Sequence, residues 1–409
     1  MTLSGSTPPA RVHTGTLVVG GSVAGVRCAH ALRTAGYRDR VIVADAEVGL
    51  PYDKPPLSKQ FLHPDTPVRS LTTSAALADA AVEHRPGARA LALDAEQRTV
   101  TFEDSVVEFD KLVIASGSTA RTLPALADPC LPAGNIRTAA SAAAIRDSIG
   151  PNRVLVVVGG GFLGLEAAST ARSRGTVVHL IEAEPRLLAR GVPAEAAAVL
   201  ARIHHGNGVT LHLGTAVTTA AGTADGRARL SLSDGTSIDC DYILVAVGAV
   251  PHTAWLESSS LTLTRDGHVY CGAGLETSVP GIFAVGDCAE WQNPRYGSRM
   301  HLEHWTSAGE QAAFVGRRIA GEARAECAIL PYVWSDQYQH TIQIAGVPGT
   351  ANTTVPNSGT ATAVVHHHGN DVLGITTIDS PATMLAIRRR LLRDSITLES
   401  ALATCASIG

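Results

Sequence analysis

Of the three lysines in this 409-residue chain, two fall inside one stretch, Leu50-Pro-Tyr-Asp-Lys-Pro-Pro-Leu-Ser-Lys59, and the third is Lys111. A lysine ammonium is a compact charge whose proton affinity responds to its surroundings, whereas arginine is a permanently charged fork. Pro55 and Pro56 stiffen the backbone between the two lysines. The stretch reads as a rigid clamp that holds an ammonium against a polar ligand. A second set of residues points to what such a ligand is. In Gly159-Gly-Gly-Phe-Leu-Gly164, Gly159 permits a tight turn, Gly161 lets backbone approach a pyrophosphate and Gly164 lets a helix pack on a strand. Glu182 follows 18 residues after Gly164, as the acceptor for a ribose diol should. Its carboxylate opposes a 2′-phosphate by on the order of several kcal/mol at an effective dielectric near 20, so NADH is expected over NADPH. Arg186 is the cation that could offset this preference.

The segment Gly20-Gly-Ser-Val-Ala-Gly25 carries the same pattern with one departure: Gly20 and Gly25 are in place, Ala24 precedes Gly25, and Ser22 stands where the second glycine belongs. The serine Cβ crowds a pyrophosphate unless the turn widens, and its hydroxyl can donate to phosphate in return. Asp45 and Glu47 both follow at ribose distance; Glu47 is preferred and Asp45 stays open. A third phrase, Thr277-Ser-Val-Pro-Gly-Ile-Phe-Ala-Val-Gly-Asp287, ends a short strand in Gly-Asp, where Asp287 can accept hydrogen bonds from a ribitol chain. Two dinucleotide sites in one chain imply a nicotinamide facing a flavin.

These residues need elements to position them. Residues 16–45 read strand, glycine turn, helix, strand, and residues 153–182 repeat that plan about 140 residues later. Two such units predict doubly wound parallel sheets. Polar-turn hairpins such as Arg98–Phe102 and Ala228–Leu232 read as antiparallel excursions. The segment Ile329–Asp336 opens a tail of short strands that ends in a helical run from Pro381 to Arg393, a third and smaller domain.

Composition narrows the function classes. A net charge of −4 and 45% hydrophobic residues give no reason to expect nucleic acid or an anionic membrane as partner. Apolar runs such as Ile243–Val247 are too short to span a bilayer, and Met1–Gly15 lacks a signal-peptide core, so a cytoplasmic protein is expected. The seven cysteines form an odd, scattered set without Cys-x-x-Cys, which indicates neither a disulfide framework, nor a zinc site, nor a redox dithiol.

Taken together, Gly20–Gly25, Pro51–Lys59, Ala115-Ser-Gly117, Gly159–Glu166, Val247-Gly248, Gly286-Asp287 and Trp334-Ser-Asp-Gln-Tyr338 resemble the FAD-dependent ferredoxin reductases of oxygenase systems. The resemblance runs from about residue 15 to the C-terminus. It implies an α/β fold of the glutathione-reductase type, with Rossmann-like FAD and NAD domains and a C-terminal α+β interface domain. The corresponding boundaries are 1–118 and 247–326 for FAD, 119–246 for NAD and 327–409 for the interface domain. It further implies electron transfer from NADH through FAD to a 2Fe-2S ferredoxin that feeds an oxygenase, from a monomer or weak dimer.

By the same resemblance Lys59 lies beside the flavin ring, Arg137, Asp287 and Trp305 touch FAD, Ala90 and Lys54 belong to the FAD site, Gly248 to the dinucleotide sites, and Glu166 lies near the nicotinamide. Lys54 stands where relatives commonly have arginine, which weakens any bidentate phosphate contact. Ala46 replaces a common aspartate, leaving Glu47 or Asp45 to hold the ribose. Ser116 keeps a hydroxyl where relatives have threonine. The alternatives are a reductase for rubredoxin or another one-electron carrier, and a regulatory NADH-binding flavoprotein resembling apoptosis-inducing factor. For the partner surface, Arg388, Arg389, Arg390 and Arg393 form a basic helical run in which Met384, Ile387 and Leu391 recur at core spacing. Arg295 and Arg299 are second candidates, and Trp334 is placed on the electron path.

Overall fold

A computed structural model describes residues 10–322, 326–356 and 361–408. The chain divides into two compact units, one of Met1–Asp53, Arg69–Thr119 and Val250–Ile329, the other of Lys54–Val68, Ala120–Ala249 and Leu330–Gly409.

In the first unit the opening strand extends further back than the sequence pattern suggests, to Ala10–Val19, because its exposed start pairs in parallel with Ser105–Ile114. From Thr14 to Val19 every residue is buried, the mark of a parallel strand covered on both faces. Among the described residues the sheet order is Val82–Pro86, Val41–Asp45, Ala10–Val19, Ser105–Ile114, Thr99–Thr101 and Ala92–Asp94, and Ile282–Ala284 also pairs in parallel with Ser105–Ile114. The two short strands after Ala90 are the antiparallel excursion expected near Arg98. A smaller sheet joins Val269–Cys271, Ala289–Asn293 and Ser298–His301.

The second unit repeats the plan. Val209–Leu213, Val177–Glu182, Val154–Val158, Tyr242–Val245 and Ala133–Gly134 form a parallel sheet, with an antiparallel excursion through Val217–Gly222, Ala228–Leu232 and Ser237–Cys240. The same unit carries an antiparallel C-terminal sheet of Tyr332–Gln337, His340–Gly346, Asp371–Ile378, Thr362–His368 and Ala351–Pro356. The helix Pro381–Arg393 starts on proline, where no backbone donor is lost, and buries Thr383, Met384, Ile387 and Leu391. Among the described residues no helix is long and apolar enough to cross a membrane.

Two helices of the first unit pack closely against each other. In the first unit the helices Val23–Thr34 and Trp305–Ile319 approach at Gly316, where a Cβ would fall 2.7 Å from the Cys28 carbonyl oxygen and 2.8 Å from Ala31 Cβ. Alanine gains up to about 1 kcal/mol of helix propensity over glycine, but overpacking against backbone costs about 1–3 kcal/mol. We therefore expect Gly316→Ala to destabilise the protein by about 1–2 kcal/mol in urea unfolding. Gly309→Ala in the same helix meets nothing closer than 3.9 Å and should be neutral or mildly stabilising. Equal midpoints for the two variants would refute this account of the helix contact.

Candidate functional site

In the first unit the strand Ala10–Val19 ends at Gly20, whose φ of +114° and whose approach to the Ala115 carbonyl leave no room for a side chain. Ser22 caps the helix Val23–Thr34 with its backbone alone, because its hydroxyl makes no capping bond. The helix N-terminus is thus left with donors for an anion. Ala24 and Gly25 are buried in the first turn.

The two acids after this turn are placed differently. Asp45 ends its strand with Oδ2 where a Cβ on Gly21 would come within 2.2 Å, and its Oδ1 accepts the Glu47 N–H at 3.2 Å. Glu47 turns its carboxylate to the Tyr52 hydroxyl. Ala90 is half-buried against the core beyond the strand Val82–Pro86. Asp287 lies in a single 3-10 turn, where Oδ2 accepts the Ser118 hydroxyl at 2.8 Å, and the Gly286 N–H before it donates to Gln311 at 2.7 Å. Trp305 opens its helix and packs half-buried on the same core.

In the second unit Gly161 caps the helix Phe162–Ser173 without any side chain, and a Cβ there would meet nothing within 4 Å. The turn has open space in front of its amides, as close approach by a pyrophosphate requires. Gly164 does the opposite, since a Cβ would lie 2.2 Å from the Gly159 carbonyl. Glu182 ends its strand with Oε2 accepting the Gly160 N–H at 2.7 Å and Oε1 accepting the Glu184 N–H at 2.8 Å. Each oxygen keeps a lone pair for a diol. Arg186 is tied to the Val192 carbonyl at 2.9 Å and the Ala189 carbonyl at 2.7 Å, which removes the cation that could have read a 2′-phosphate. Gly248 takes a φ of +102°, and its carbonyl accepts the Arg121 N–H at 2.9 Å.

The proline-flanked lysines also lie in this unit. Pro55 and Pro56 start a 3-10 turn, Pro55–Ser58, that delivers Ser58 and Lys59 to the helix Phe162–Ser173. There Glu166, only 7% exposed, accepts Ser58 Oγ at 2.5 Å, Ser335 Oγ at 2.6 Å and Lys59 Nζ at 3.2 Å. Asp336 stands 3.6 Å from the same ammonium, and Lys59 lies 5.8 Å from the Trp334 ring. Burial raises the Glu166 carboxyl above its ordinary range, against Lys59 and the two serines, which pull it down. Lys54 reaches the Arg137 carbonyl at 3.4 Å, and Arg137 leads into the capped helix Ala139–Ser148.

The network continues in a fixed direction. Ser335 donates to the carboxylate, so it accepts from Gln337 Nε2 at 3.0 Å, and Gln337 Oε1 then faces His204 Nε2 at 2.9 Å. His204 must donate from Nε2 and accept the Tyr338 hydroxyl on Nδ1, 3.3 Å away. Ser58, Ser335, Gln337, His204, Ser118 and Gln311 were not singled out in the sequence. Ser58, Ser335 and Gln337 lie inside two of the phrases that carry the resemblance, which was the available signal.

Two anion-ready turns, each followed by a strand-end carboxylate, fit two dinucleotides and define a flavin- and nicotinamide-dependent oxidoreductase. The chain belongs to the pyridine nucleotide-disulphide oxidoreductase family, whose model matches residues 14–312, and a reductase C-terminal model matches residues 332–406. It is 30% identical to rhodocoxin reductase of Rhodococcus erythropolis over 92% of this chain and 88% of that protein. It is 32% identical to the ferredoxin–NAD(+) reductase component of the p-cumate 2,3-dioxygenase system of Pseudomonas putida, over 91% and 92%. Among solved structures, the ferredoxin reductase for the CYP199A2 system from Rhodopseudomonas palustris superposes with a TM-score of 0.89 at 29% identity, over 97% of this chain and 100% of that one. The covalent putidaredoxin reductase–putidaredoxin complex superposes with a TM-score of 0.87 at 26% identity, over 92% and 93%. The expected fold class and the cofactors FAD and NADH are borne out.

Two expectations follow from this geometry. NADH should exceed NADPH at least tenfold in kcat/KM, and Glu182→Ala should narrow the gap; equal use by the unmutated enzyme would contradict the assignment of Glu182. Burial pushes the His204 pKa down to about 4 from 6.5. A depressed histidine pKa means that the unfolded chain binds more protons between those values, so stability is full above pH 6.5 and falls as pH drops toward 4. The loss attributable to His204 is on the order of 3 kcal/mol. His204→Gln should flatten that part of the acid limb in urea midpoints, and a constant offset from the unmutated protein at every pH would refute it.

Proposed function

We propose that this chain oxidises NADH and delivers the electrons singly to a small 2Fe-2S ferredoxin that serves an oxygenase. One observation carries the reading: two dinucleotide turns share the chain with no redox-active cysteine pair. All seven cysteines are free, six of them buried, and burial pushes the thiols of Cys28, Cys240, Cys271 and Cys327 up to about 12. Electrons must therefore leave for an external acceptor rather than for a disulfide of this chain. The names of the relatives, reductase components of dioxygenase systems and a reductase linked to putidaredoxin, supply the class of acceptor.

Bound flavin supplies the conversion of a two-electron input into single-electron output; the side chains bind, orient and set charge. Gly20, Ser22, Ala24 and Gly25 cradle the FAD pyrophosphate, Asp45 and Glu47 take its ribose, and Ala90, Asp287 and Trp305 complete the set in the first unit. Gly159, Gly161, Gly164, Glu182 and Gly248 hold NADH. Lys54 and Arg137 add to the FAD contacts. Lys59 is the cation that the family resemblance assigns to the flavin, and Glu166 holds that ammonium in place. The FAD segments are 1–118 and 247–326, the NAD segment is 119–246 and the interface segment 327–409. The cytoplasm, where thiols stay reduced, is the proposed location.

The acceptor docks on the exposed face of the helix Pro381–Arg393. Arg390 is spent on its own fold, donating to the Ser400 carbonyl, Ser400 Oγ and Thr404 Oγ1, and Arg388 lies 4.6 Å over the Tyr332 ring. Arg299 is likewise consumed by Glu290 and by the Cys271 carbonyl. Arg389 and Arg393 are exposed beside Leu385 and Leu392, a basic and apolar face suited to an acidic carrier. Tyr332 and Trp334 stack at 6.4 Å and join this helix to Lys59. The double variant Arg389→Glu, Arg393→Glu should reduce a supplied 2Fe-2S ferredoxin several-fold more slowly at low salt, with NADH-to-ferricyanide turnover unchanged. Unaltered ferredoxin kinetics at all salt concentrations would move the docking face elsewhere. Flavin reduction by NADH with no transfer to any 2Fe-2S ferredoxin would overturn the acceptor class.

A further inference from the structure

The small sheet in the first unit carries a cluster that the electron-transfer reading does not use. Glu290 and His301 face each other across paired strands, and Glu290 pairs on its other side with Tyr270. His268, two residues before Tyr270, shares that face by the period-two rule. The His268 and His301 rings stack with centroids 4.4 Å apart. One ligand atom from each of His268, Glu290 and His301 lies within 4.8 Å of the other two.

His268 is 5% exposed, and neither of its ring nitrogens has a hydrogen-bond partner. Buried polar atoms are nearly always satisfied, so unpartnered ring nitrogens on His268, one ligand atom of which lies within 4.8 Å of a carboxylate oxygen and of a second imidazole nitrogen, call for a partner. A cation with open coordination supplies one. Arg299 Nε bonds Glu290 Oε1 at 2.9 Å, which orients the carboxylate as outer partners of metal ligands do and leaves Oε2 for the ion.

We propose that His268, Glu290 and His301 form a zinc site that clips together the strands Val269–Cys271, Ala289–Asn293 and Ser298–His301. A His2Glu set with a water completes a tetrahedral site, and bonds of about 2.0–2.2 Å draw the donors to roughly 3.4 Å apart. His301, which is exposed, can make that movement while buried His268 stays fixed. Because the ion binds only the folded sheet, it raises thermal stability in proportion to occupancy.

The test uses the flavin-loaded, tag-free full chain. Calorimetry with Zn2+ should show one equivalent bound with micromolar or tighter affinity. Co2+ should give tetrahedral ligand-field bands to the red of the flavin spectrum, and Zn2+ should raise the melting temperature. His301→Asn, at an exposed position that leaves folding intact, should weaken binding at least tenfold and abolish the thermal shift; His268→Asn should do the same. Absence of stoichiometric binding by the unmutated protein would overturn the site, as would unchanged affinity in His301→Asn.

Discussion

A carboxylate that is 7% exposed, as Glu166 is, can remain charged only if its surroundings replace the water it has lost. An isolated buried ion faces a desolvation cost of several kcal/mol, and here two hydroxyls and one ammonium share the compensation. The hydroxyls come from residues 108 positions before and 169 positions after Glu166 in the chain, so the pair can exist only when three distant segments have assembled. Removing one partner of such a pair typically costs 3–5 kcal/mol because the other charge is left behind. The opening lysine-proline stretch is therefore rigid for a reason: the 3-10 turn at Pro55–Ser58 fixes Ser58 and Lys59 together, and a flexible turn would lose the pair to entropy. The direction of every donor out to Tyr338 then follows from one acceptor-only group.

The dinucleotide turns use a second electrostatic device, and use it twice. Glu182 accepts the backbone N–H two residues on, from Glu184, and Asp45 accepts the corresponding N–H of Glu47. Each carboxylate is thereby aimed back over its own glycine turn, toward Gly160 and Gly21. The aspartate is one methylene shorter, and the first turn meets it more closely. This equivalence gives Asp45 the position that Glu182 holds in the second unit, while Glu47 lies alongside with its own partner, Tyr52.

The glycines, the strand-end acids and the helix from Pro381 were legible in the sequence because each depends on local chemistry: a φ, a spacing or a period. What was illegible depends on partners far along the chain. Nothing near Arg390 signals that Ser400 and Thr404 will take its guanidinium, and nothing near Arg186 signals that Val192 and Ala189 will. Ser58 and Ser335 stood inside phrases that marked the family, but a serine announces a role only when its acceptor is known. His268 and His301 are 33 residues apart, and the sheet register that stacks them is not a sequence pattern.

That division bears on how a chain of net charge −4 would recognise the acidic carrier proposed for it. Whole-molecule charge would repel such a partner, and at physiological ionic strength fields fade over about 8 Å, so only a local cluster can steer it. Sequence alone counts four arginines on the helix Pro381–Arg393, but two of them are held by the C-terminal helix and by the Tyr332 ring. The held pair makes the surface rigid; the exposed pair gives it charge. Because Arg388 rests on Tyr332, which stacks on Trp334, which in turn faces Lys59, the residues that stiffen the docking helix also connect it through packed side chains to the lysine assigned to the flavin. The proposed docking helix and the Lys59 ammonium are therefore joined through the one strand Tyr332–Gln337.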